Sequence, residues 1–210
     1  LTPIQLTIDR LKNKYSNQLE DTDQENFKEN LKIINNQIKQ IEKLVNEFSD
    51  FARMPKPIFQ KNDLIILMKD NIKLLKELDE TIKIDFKNNI KQILFNSDKE
   101  QLSRVFLNLI KNSIESIQQK TEKVSNFNKI IAIELNDLDS HISLIINDNG
   151  IGFKNLNINI KEILNPYFTT KKTGTGLGLS IVNKIINDHN GNIDFVSKVD
   201  GAIIKITFIK

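Results

Sequence analysis

The stretch Pro166-Tyr-Phe-Thr-Thr-Lys-Lys-Thr-Gly174-Thr-Gly176-Leu-Gly178-Leu-Ser180 places three of the chain's seven glycines at alternate positions, directly before an apolar segment with helical periodicity. Glycines that open a helix predict an anion site, because the first amides have no intrahelical partner and the helix dipole favours negative charge. The Gly-Lys-Ser/Thr of a P-loop is missing. The Gly-x-Gly-x-Gly spacing, with no strand before it, also does not fit a dinucleotide fingerprint.

Upstream of these glycines, the residues between Gly152 and Gly174 are rich in Asn and Lys and show little periodicity. Such a long irregular segment is uncommon in a compact domain and is typical of a functional lid. Lys171 and Lys172 lie at its end and place positive charge beside the predicted anion site.

A second motif, Asp148-Asn149-Gly150-Ile151-Gly152, follows an alternating segment, residues 141–147, that predicts a strand. A carboxylate at a strand end can accept from an exocyclic amine, and glycines let the backbone approach a flat ligand closely. The same residue types are typical of a tight hairpin turn. The motif alone leaves both interpretations open.

The third motif is the pair Asn108 and Asn112, within a helical pattern that Asp98 would cap and that runs on to Ile117. A spacing of four residues puts both amides on one helix face. Their oxygens could ligate Mg²⁺, which keeps most of its coordination positions for water and phosphate. The chain is rich in Asn, so the pair alone favours a structural role.

Periodicity over residues 60–210 predicts an α+β sandwich, with one sheet under a layer of helices. The strands are predicted to be antiparallel. The predicted helices are residues 64–78, 98–118 and 177–189, and the predicted strands are residues 82–86, 92–95, 129–135, 141–147, 192–199 and 202–209.

Residues 1–56 carry a different pattern. Apolar residues from Phe27 to Ala52 follow one another at alternating steps of four and three, which is a heptad seam, and Ile4 to Tyr15 repeat it more briefly. With residues 16–26 as a connector, this predicts an antiparallel helical hairpin. A coiled-coil spacer and half of a dimeric four-helix bundle both fit it. Pro55 and Pro57 end the long helix, which predicts domains at 1–56 and 57–210.

The amino-acid composition further narrows the possible classes of protein. A net charge of +3 is too balanced for a dedicated nucleic-acid or membrane-surface binder. The absence of cysteine excludes disulfide scaffolds, Cys-ligated zinc and Cys nucleophiles. No apolar run is long enough to span a bilayer.

Together and in this order, the three motifs resemble the ATP-binding domain shared by sensor histidine kinases, Hsp90-type chaperones, DNA gyrase and MutL-type repair proteins, called the GHKL or Bergerat type. Phe168-Thr-Thr-Lys171 followed by Thr175-Gly-Leu-Gly-Leu-Ser180 resembles the kinase branch. Glu47-Phe-Ser-Asp-Phe-Ala-Arg-Met-Pro-Lys-Pro57 and Asn165-Pro-Tyr-Phe-Thr-Thr-Lys171 are similar to nitrogen-regulation sensor kinases of the NtrY type. The helical hairpin agrees, because histidine kinases join this domain to a dimerising hairpin.

The resemblance implies roles for individual residues. Asn112 would bind Mg²⁺, Asn108 would support the triphosphate, and Asp148 would read adenine. The full set of residues implied to bind ATP is Asn108, Lys111, Asn112, Asp148, Gly150, Gly152, Phe168, Thr170, Lys171, Gly174, Thr175, Gly176, Leu177 and Gly178. The phospho-accepting His of the family would lie just upstream of Leu1, so no catalytic residue is assigned, and His141 and His189 are assigned structural roles.

The departures from the family pattern are small. Ser113 and Ser116 stand where Ala is common after the Mg²⁺-binding Asn, and Asn165 replaces a Glu. Neither change should abolish nucleotide binding.

The resemblance implies that the chain is the ATP-dependent catalytic part of a two-component sensor histidine kinase. It implies also that the chain is unable to autophosphorylate at the family's usual site. Implied with it are Mg²⁺, a response-regulator partner, a homodimer through the hairpin in the parent protein, and a cytoplasmic location under a membrane-anchored parent. Two alternatives stay open: an interaction module that binds ATP without phosphate transfer, or another GHKL-type ATPase or serine kinase.

Overall fold

The computed structural model describes residues 2–16, 21–124, 126–153, 160–171, 174–198 and 200–210. The chain divides into two compact units. The helical unit comprises Leu1–Met54 and Thr170–Thr175, and the α+β unit comprises Pro55–Thr169 and Gly176–Lys210.

The helical unit contains the two predicted helices, α1 (Thr2–Tyr15) and α2 (Asp21–Ala52). Ile8 of α1 is buried with Leu31 and Ile38 of α2, and Phe27 packs against them. The predicted connector was wrong for residues 21–26, which are helical. Asp23, in the first turn of this helix, explains the early start, because negative charge in a first turn is favoured by the helix dipole.

Much of the heptad seam is not buried within the helical unit. Because α1 has 14 residues and α2 has 32, α1 can cover only part of the longer helix. Apolar side chains further along α2 are about half exposed: Ile34, Ile41, Val45 and Phe48. An apolar stripe of this kind is stabilised only by partner helices.

The α+β unit is built on a five-stranded sheet of order β2-β4-β5-β7-β6 and a two-stranded sheet, β1-β3, among its described residues. Its strands are β1 (Gln60–Asp63), β2 (Lys83–Asn88), β3 (Leu94–Ser97), β4 (Ile130–Asp137), β5 (His141–Asp148), β6 (Gly191–Ser197) and β7 (Ala202–Ile209). Its helices are α3 (Leu64–Lys76), α4 (Lys99–Thr121) and α5 (Gly178–Asp188), and a 3₁₀ turn covers Ile160–Leu164.

The predicted helices and strands of this unit are confirmed with bounds moved by a few residues, but two features differ. The prediction that all strands are antiparallel was wrong, because β2 pairs with β4 in parallel. A parallel pair needs a long crossover, which β3 and α4 supply here. Strand β1 was missed because its polar residues do not alternate, and it becomes a strand by pairing with β3.

Helix α4 is the centre of the helical layer. It packs between α3 and α5 and against β4 and β5. Its core face is fully buried, with Leu102, Phe106, Leu109 and Ile110 at 0% exposure. The opposing residues of β5 alternate between buried and partly buried, so Ile142, Leu144, Ile146 and Asp148 share the buried face. Strand periodicity therefore carries a carboxylate into the core.

The start of α4 is held by Asp98. Its carboxylate accepts from the Gln101 amide at 3.0 Å and from the Ile58 amide at 2.8 Å. Partial burial opposes ionisation of this group, yet the amides of Gln101, Ile58 and Glu100 lower its pKa below the ordinary value. The cap joins the residues after Pro57 to the helix.

Among the described residues, no helix combines the length and the apolar content that a membrane crossing requires.

Replacing this cap should destabilise the α+β unit. We expect Asp98→Ala to lower the free energy of unfolding by about 1 to 2 kcal/mol, because two amides lose their acceptor. Asp70→Ala, at an exposed position of α3, is the control and should change it by less than about 0.5 kcal/mol. Urea unfolding monitored by circular dichroism measures both. Equal stability of the two variants would contradict the capping role.

Candidate functional site

Asp148 is the most deeply buried charged group of the predicted site, at 4% exposure. Its Oδ1 accepts from the Gly150 amide at 3.0 Å, and its Oδ2 accepts from the Ser113 hydroxyl of α4 at 3.1 Å. Both oxygens are therefore held in one orientation by donors from two elements. A carboxylate fixed in this way presents a defined acceptor to a ligand.

Burial raises the pKa of the Asp148 carboxyl above its ordinary value. The Gly150 amide, the Ser113 hydroxyl, the Ala202 amide and the charge of Lys198 act against this increase without cancelling it. Perturbed carboxyls of this kind are concentrated at functional sites.

The loop after Asp148 is packed too closely for side chains. A Cβ at Gly150 would lie 2.2 Å from Ser116 Oγ of α4, and one at Gly152 would lie 2.3 Å from the Gly201 carbonyl oxygen. Gly201 itself has a φ of +88°, and a Cβ there would lie 1.9 Å from the Asp148 carbonyl oxygen. The turn between β6 and β7 can lie against this loop because it carries glycine.

The predicted metal and phosphate residues lie on α4. One side of this helix carries Asn108, Lys111 and Asn112, which lie within four residues of one another. The Asn108 amide donates to the Arg104 carbonyl at 2.8 Å. A groove of about 670 Å³ runs along α4, and Arg104, Asn108 and Lys111 are among the residues that line it. The groove combines basic side chains with an apolar floor at Leu75 and Leu107.

The start of α5 meets this face of α4. A Cβ at Gly178 would lie 3.1 Å from Asn108 Oδ1, so these two predicted residues are neighbours. Leu177 occupies the N-cap position of α5. It is fully buried, and its side chain makes no capping hydrogen bond. Gly176 lies against the Tyr167 backbone, where a Cβ would be 2.3 Å from its carbonyl carbon. The helix therefore begins on close backbone contacts, with glycines on both sides of Leu177.

The remaining predicted residues are divided between the units. Phe168 is partly buried in the α+β unit, while Thr170, Lys171, Gly174 and Thr175 belong to the helical unit. There the Gly174 amide donates to the Lys171 carbonyl at 3.2 Å, and the Thr175 hydroxyl donates to Glu47 of α2. Lys172 lies outside the described residues.

Residues 97–209 match the family described as "Histidine kinase-, DNA gyrase B-, and HSP90-like ATPase". The match covers more than half of the chain. The chain belongs to this ATPase family.

Similarity to a known protein also covers the residues upstream of this match. A Rickettsia prowazekii protein named as an NtrY-like sensor histidine kinase is 37% identical over 209 residues, or 99% of this chain. The chain spans about a third of that protein's length, at 33%. The helical unit and the ATPase domain are therefore found together in an NtrY-like relative.

Solved structures of histidine kinases have a similar fold. The catalytic domain of histidine kinase ThkA superimposes with a TM-score of 0.62 at 27% identity, covering 73% of this chain and 96% of that one. The structure of ThkA in complex with response regulator protein TrrA has a TM-score of 0.69 at 24% identity, covering 97% of this chain and 57% of that one. The second likeness shows the fold alone.

Within this ATPase domain, sequence reasoning missed several residues that support Asp148. Ser113 stands where Ala is common and has no role predicted from the sequence, and Lys198, whose Nζ donates to Asn147 Oδ1 at 2.7 Å, lies within the strand predicted over residues 192–199. The position of Ser113 beside Asn112 was a usable signal. Nothing local marked Lys198 or Gly201, because their partners are distant in the chain.

Both histidines form hydrogen bonds with neighbouring protein groups. His189, at 2% exposure, accepts from the Asp98 amide at Nε2 over 3.0 Å, and its Nδ1 lies 2.8 Å from the Ile185 carbonyl. Its edge contacts the Phe59 ring. His141 lies at the start of β5 with its Nδ1 3.0 Å from the Ser140 hydroxyl. Through these contacts, His189 has a structural role that joins the end of α5 to the start of α4.

Replacing the buried carboxylate by an amide should stabilise the ATPase domain at neutral pH. The pKa of Asp148 is higher in the folded protein than in the unfolded chain, so the ionised form opposes folding above that pKa. An amide at this position can still accept from Gly150 and can donate to Ser113. We expect Asp148→Asn to raise the melting temperature at pH 7 by a few degrees. The gain should shrink as the pH falls through the raised pKa, because the wild-type carboxyl then becomes neutral.

Differential scanning calorimetry at several pH values tests this. Asp194→Asn, at an exposed position of β6, is the matched control and should change little at any pH. A pH-independent change at Asp148, or a loss of stability at neutral pH, would show that ionisation is not the cause.

Proposed function

We propose that this chain is the ATP-binding catalytic part of a two-component sensor histidine kinase of the nitrogen-regulation type. The observation that carries the proposal is the Asp148 carboxylate, buried at a strand end and held by Ser113 and Gly150 next to a glycine loop. The family assignment and the NtrY-like relative support it. Because the chain spans a third of that relative, the activity of the whole protein is part of the proposal.

The adenine would be read by Asp148. An ionised carboxylate only accepts hydrogen bonds, so it favours a base that presents an exocyclic amine over one that presents a carbonyl oxygen. Gly150 and Gly152 pack against Ser116 of α4 and against the Gly201 backbone, which fixes the loop beside that carboxylate. Both features fit a flat purine at this loop.

The phosphates would lie toward α4 and the start of α5. Lys111 and Lys171 would supply charge, and the amides around Gly176, Leu177 and Gly178 would supply donors at a helix start. Phe168, Thr170, Gly174 and Thr175 would form the lid segment that approaches the phosphates.

Mg²⁺ would be held by the Asn112 amide oxygen together with phosphate oxygens and water, and Asn108 would support the triphosphate. An amide oxygen is a ligand type that Mg²⁺ accepts, and it needs few protein ligands when phosphates are present. When bound, the ion would neutralise charge that develops on the phosphates. The residues of the domain would contribute alignment and charge for an in-line attack and would form no covalent bond.

The phospho-acceptor would be a His that is not one of the two in this chain. His189 is buried and both of its ring nitrogens are engaged, and His141 lies on a strand rather than on a helix of the hairpin. The chain would therefore be unable to autophosphorylate at the family's usual site. Its own product would be phosphate on a supplied His, for relay to a response-regulator Asp.

The partners follow from the same proposal. A response regulator would dock on the parent protein, as TrrA binds the ThkA kinase in a solved complex. The exposed stripe of α2 would be covered by a second copy in a homodimer of the parent. We place the boundary between the dimerisation hairpin, 1–56, and the catalytic domain, 57–210, at the prolines. The chain would act in the cytoplasm under a membrane-anchored parent, with no direct membrane contact and no nucleic-acid partner.

The two principal binding residues can be tested directly. We expect Asn112→Ala and Asp148→Ala each to abolish measurable Mg²⁺-ATP binding in titration calorimetry, because one loses the metal ligand and the other the base reader. Asn96→Ala and Asp194→Ala, at exposed positions of β3 and β6, are the matched controls. Asp148→Asn repeats the test in a variant that keeps the carboxylate's shape. Wild-type affinity in any folded site variant would remove that residue from the site.

Phosphate transfer needs a separate measurement. The chain is mixed with γ-labelled ATP and a second protein, unable to bind ATP, that carries the His-containing helix of an NtrY-like kinase. We expect acid-labile label on that protein and none with the Asp148→Asn chain. ATP binding without label would favour an interaction module instead, and acid-stable label on Ser would favour a serine kinase.

A further inference from the structure

Lys120, in the last turn of α4, joins three segments that are far apart in the chain. Its side chain is 16% exposed, and its Nζ donates to the Asn149 carbonyl at 3.0 Å and to Asp200 Oδ1 at 3.1 Å. The same ammonium lies 4.9 Å from the centroid of the Phe127 ring. One cation therefore connects α4 to the loop after β5, the turn before β7 and the segment before β4.

These three contacts differ in strength. Asp200 is 75% exposed, so its ion pair with Lys120 is weakened by water. The contacts with the Asn149 carbonyl and the Phe127 ring involve a mostly buried cation, and such contacts are stronger when water is excluded. Lys120 is therefore held mainly by the backbone it contacts beside Asp148 and by the aromatic ring.

The loop residue that Lys120 contacts lies between the two functional positions of the loop. Asn149 separates Asp148 from Gly150, whose amide holds the Asp148 carboxylate. The side chain of Asn149 accepts from the Ile130 amide at 3.0 Å and donates to the Asn128 carbonyl. These bonds tie the loop to the segment leading into β4, while Lys120 ties it to α4.

The distance between this loop and α4 matters because α4 carries the other half of the site. Ser113, Asn108 and Asn112 all lie on α4, and the Ser113 hydroxyl donates to Asp148 Oδ2 at 3.1 Å. Ser116, one turn before Lys120, also accepts from the Ile151 amide at 3.1 Å. Lys120 is the charged member of this row of contacts between the helix and the loop.

We propose that Lys120 is a positioning residue that holds the Asp148–Gly150 loop against α4 and thereby sets the preference of the site for a 6-amino purine over a 6-oxo purine. This inference rests on the proposed function, in which Asp148 accepts from the adenine amine. Lys120 itself would not touch the nucleotide.

The test compares Mg²⁺-ATP with Mg²⁺-ITP, which carries an oxygen where ATP carries the amine. We expect Lys120→Met, which keeps the apolar stem and removes the cation, to weaken ATP binding by about tenfold and ITP binding by less than about threefold. The preference for ATP should therefore fall. Lys120→Arg should restore most of the preference, because it returns a cation of similar length. Titration calorimetry measures the two dissociation constants, for ATP and for ITP, of each variant.

Lys123→Met is the matched control. This exposed lysine follows the end of α4, and its replacement should leave both affinities unchanged. Asp200→Asn removes one contact while keeping the cation and the ring, and it should shift the preference in the same direction by a smaller factor. It carries the test if Lys120→Met does not fold.

The outcomes separate this inference from the proposed function. If the wild-type chain prefers ATP and the Lys120 and Asp200 variants keep that preference while only the melting temperature falls, Lys120 is merely a stabilising residue and the inference is wrong. If the wild-type chain binds neither nucleotide or does not distinguish them, the proposed function fails and the inference fails with it. A reduced preference in Lys120→Met with recovery in Lys120→Arg supports the inference.

Discussion

The burial of one carboxylate in the core governs the arrangement of this site. Strand periodicity directs Asp148 toward α4 together with three isoleucine and leucine side chains of β5, so the charge must be satisfied where water is excluded. The surrounding structure supplies the donors: a hydroxyl from α4, an amide two residues along the loop and, at longer range, the charge of Lys198. The glycines of the loop and of the β6–β7 turn let the backbone of this turn lie directly against the loop that carries the carboxylate.

Helix α4 connects this carboxylate to the rest of the domain. One of its faces forms the core with the sheet, and another carries Asn108, Lys111 and Asn112 beside the start of α5. Its two ends are fixed by charges of opposite sign: Asp98 caps the first turn and holds the residues after Pro57, and Lys120 in the last turn holds the loop after β5. Both placements agree with the helix dipole, which favours an anion at the start and a cation at the end. A helix anchored at both ends would keep the two halves of the proposed nucleotide site at a constant separation.

The helical unit buries only some of its apolar residues among those described. Its shared core is small, with Ile8, Leu31, Ile38 and Phe27, while a longer stripe of α2 remains half exposed. The chain spans about a third of the length of its NtrY-like relative, at 33%. In the proposed function, the α+β unit would hold the adenine and Mg²⁺, and a separate helix would supply the acceptor.

The sequence by itself determined the helices, most of the strands and the three motifs, because heptad steps, strand alternation, the Asp98 cap and glycine spacing are local signals. The residues chosen around Asn108, Asp148 and Gly178 came from motif spacing and family resemblance. Only the tertiary structure decided the parallel pairing of β2 with β4, the existence of β1 and the contacts of Ser113, Lys120, Lys198 and Gly201. Those features depend on partners many residues away, and periodicity within a short window carries no information about which distant segment will supply a hydrogen bond or a counter-charge.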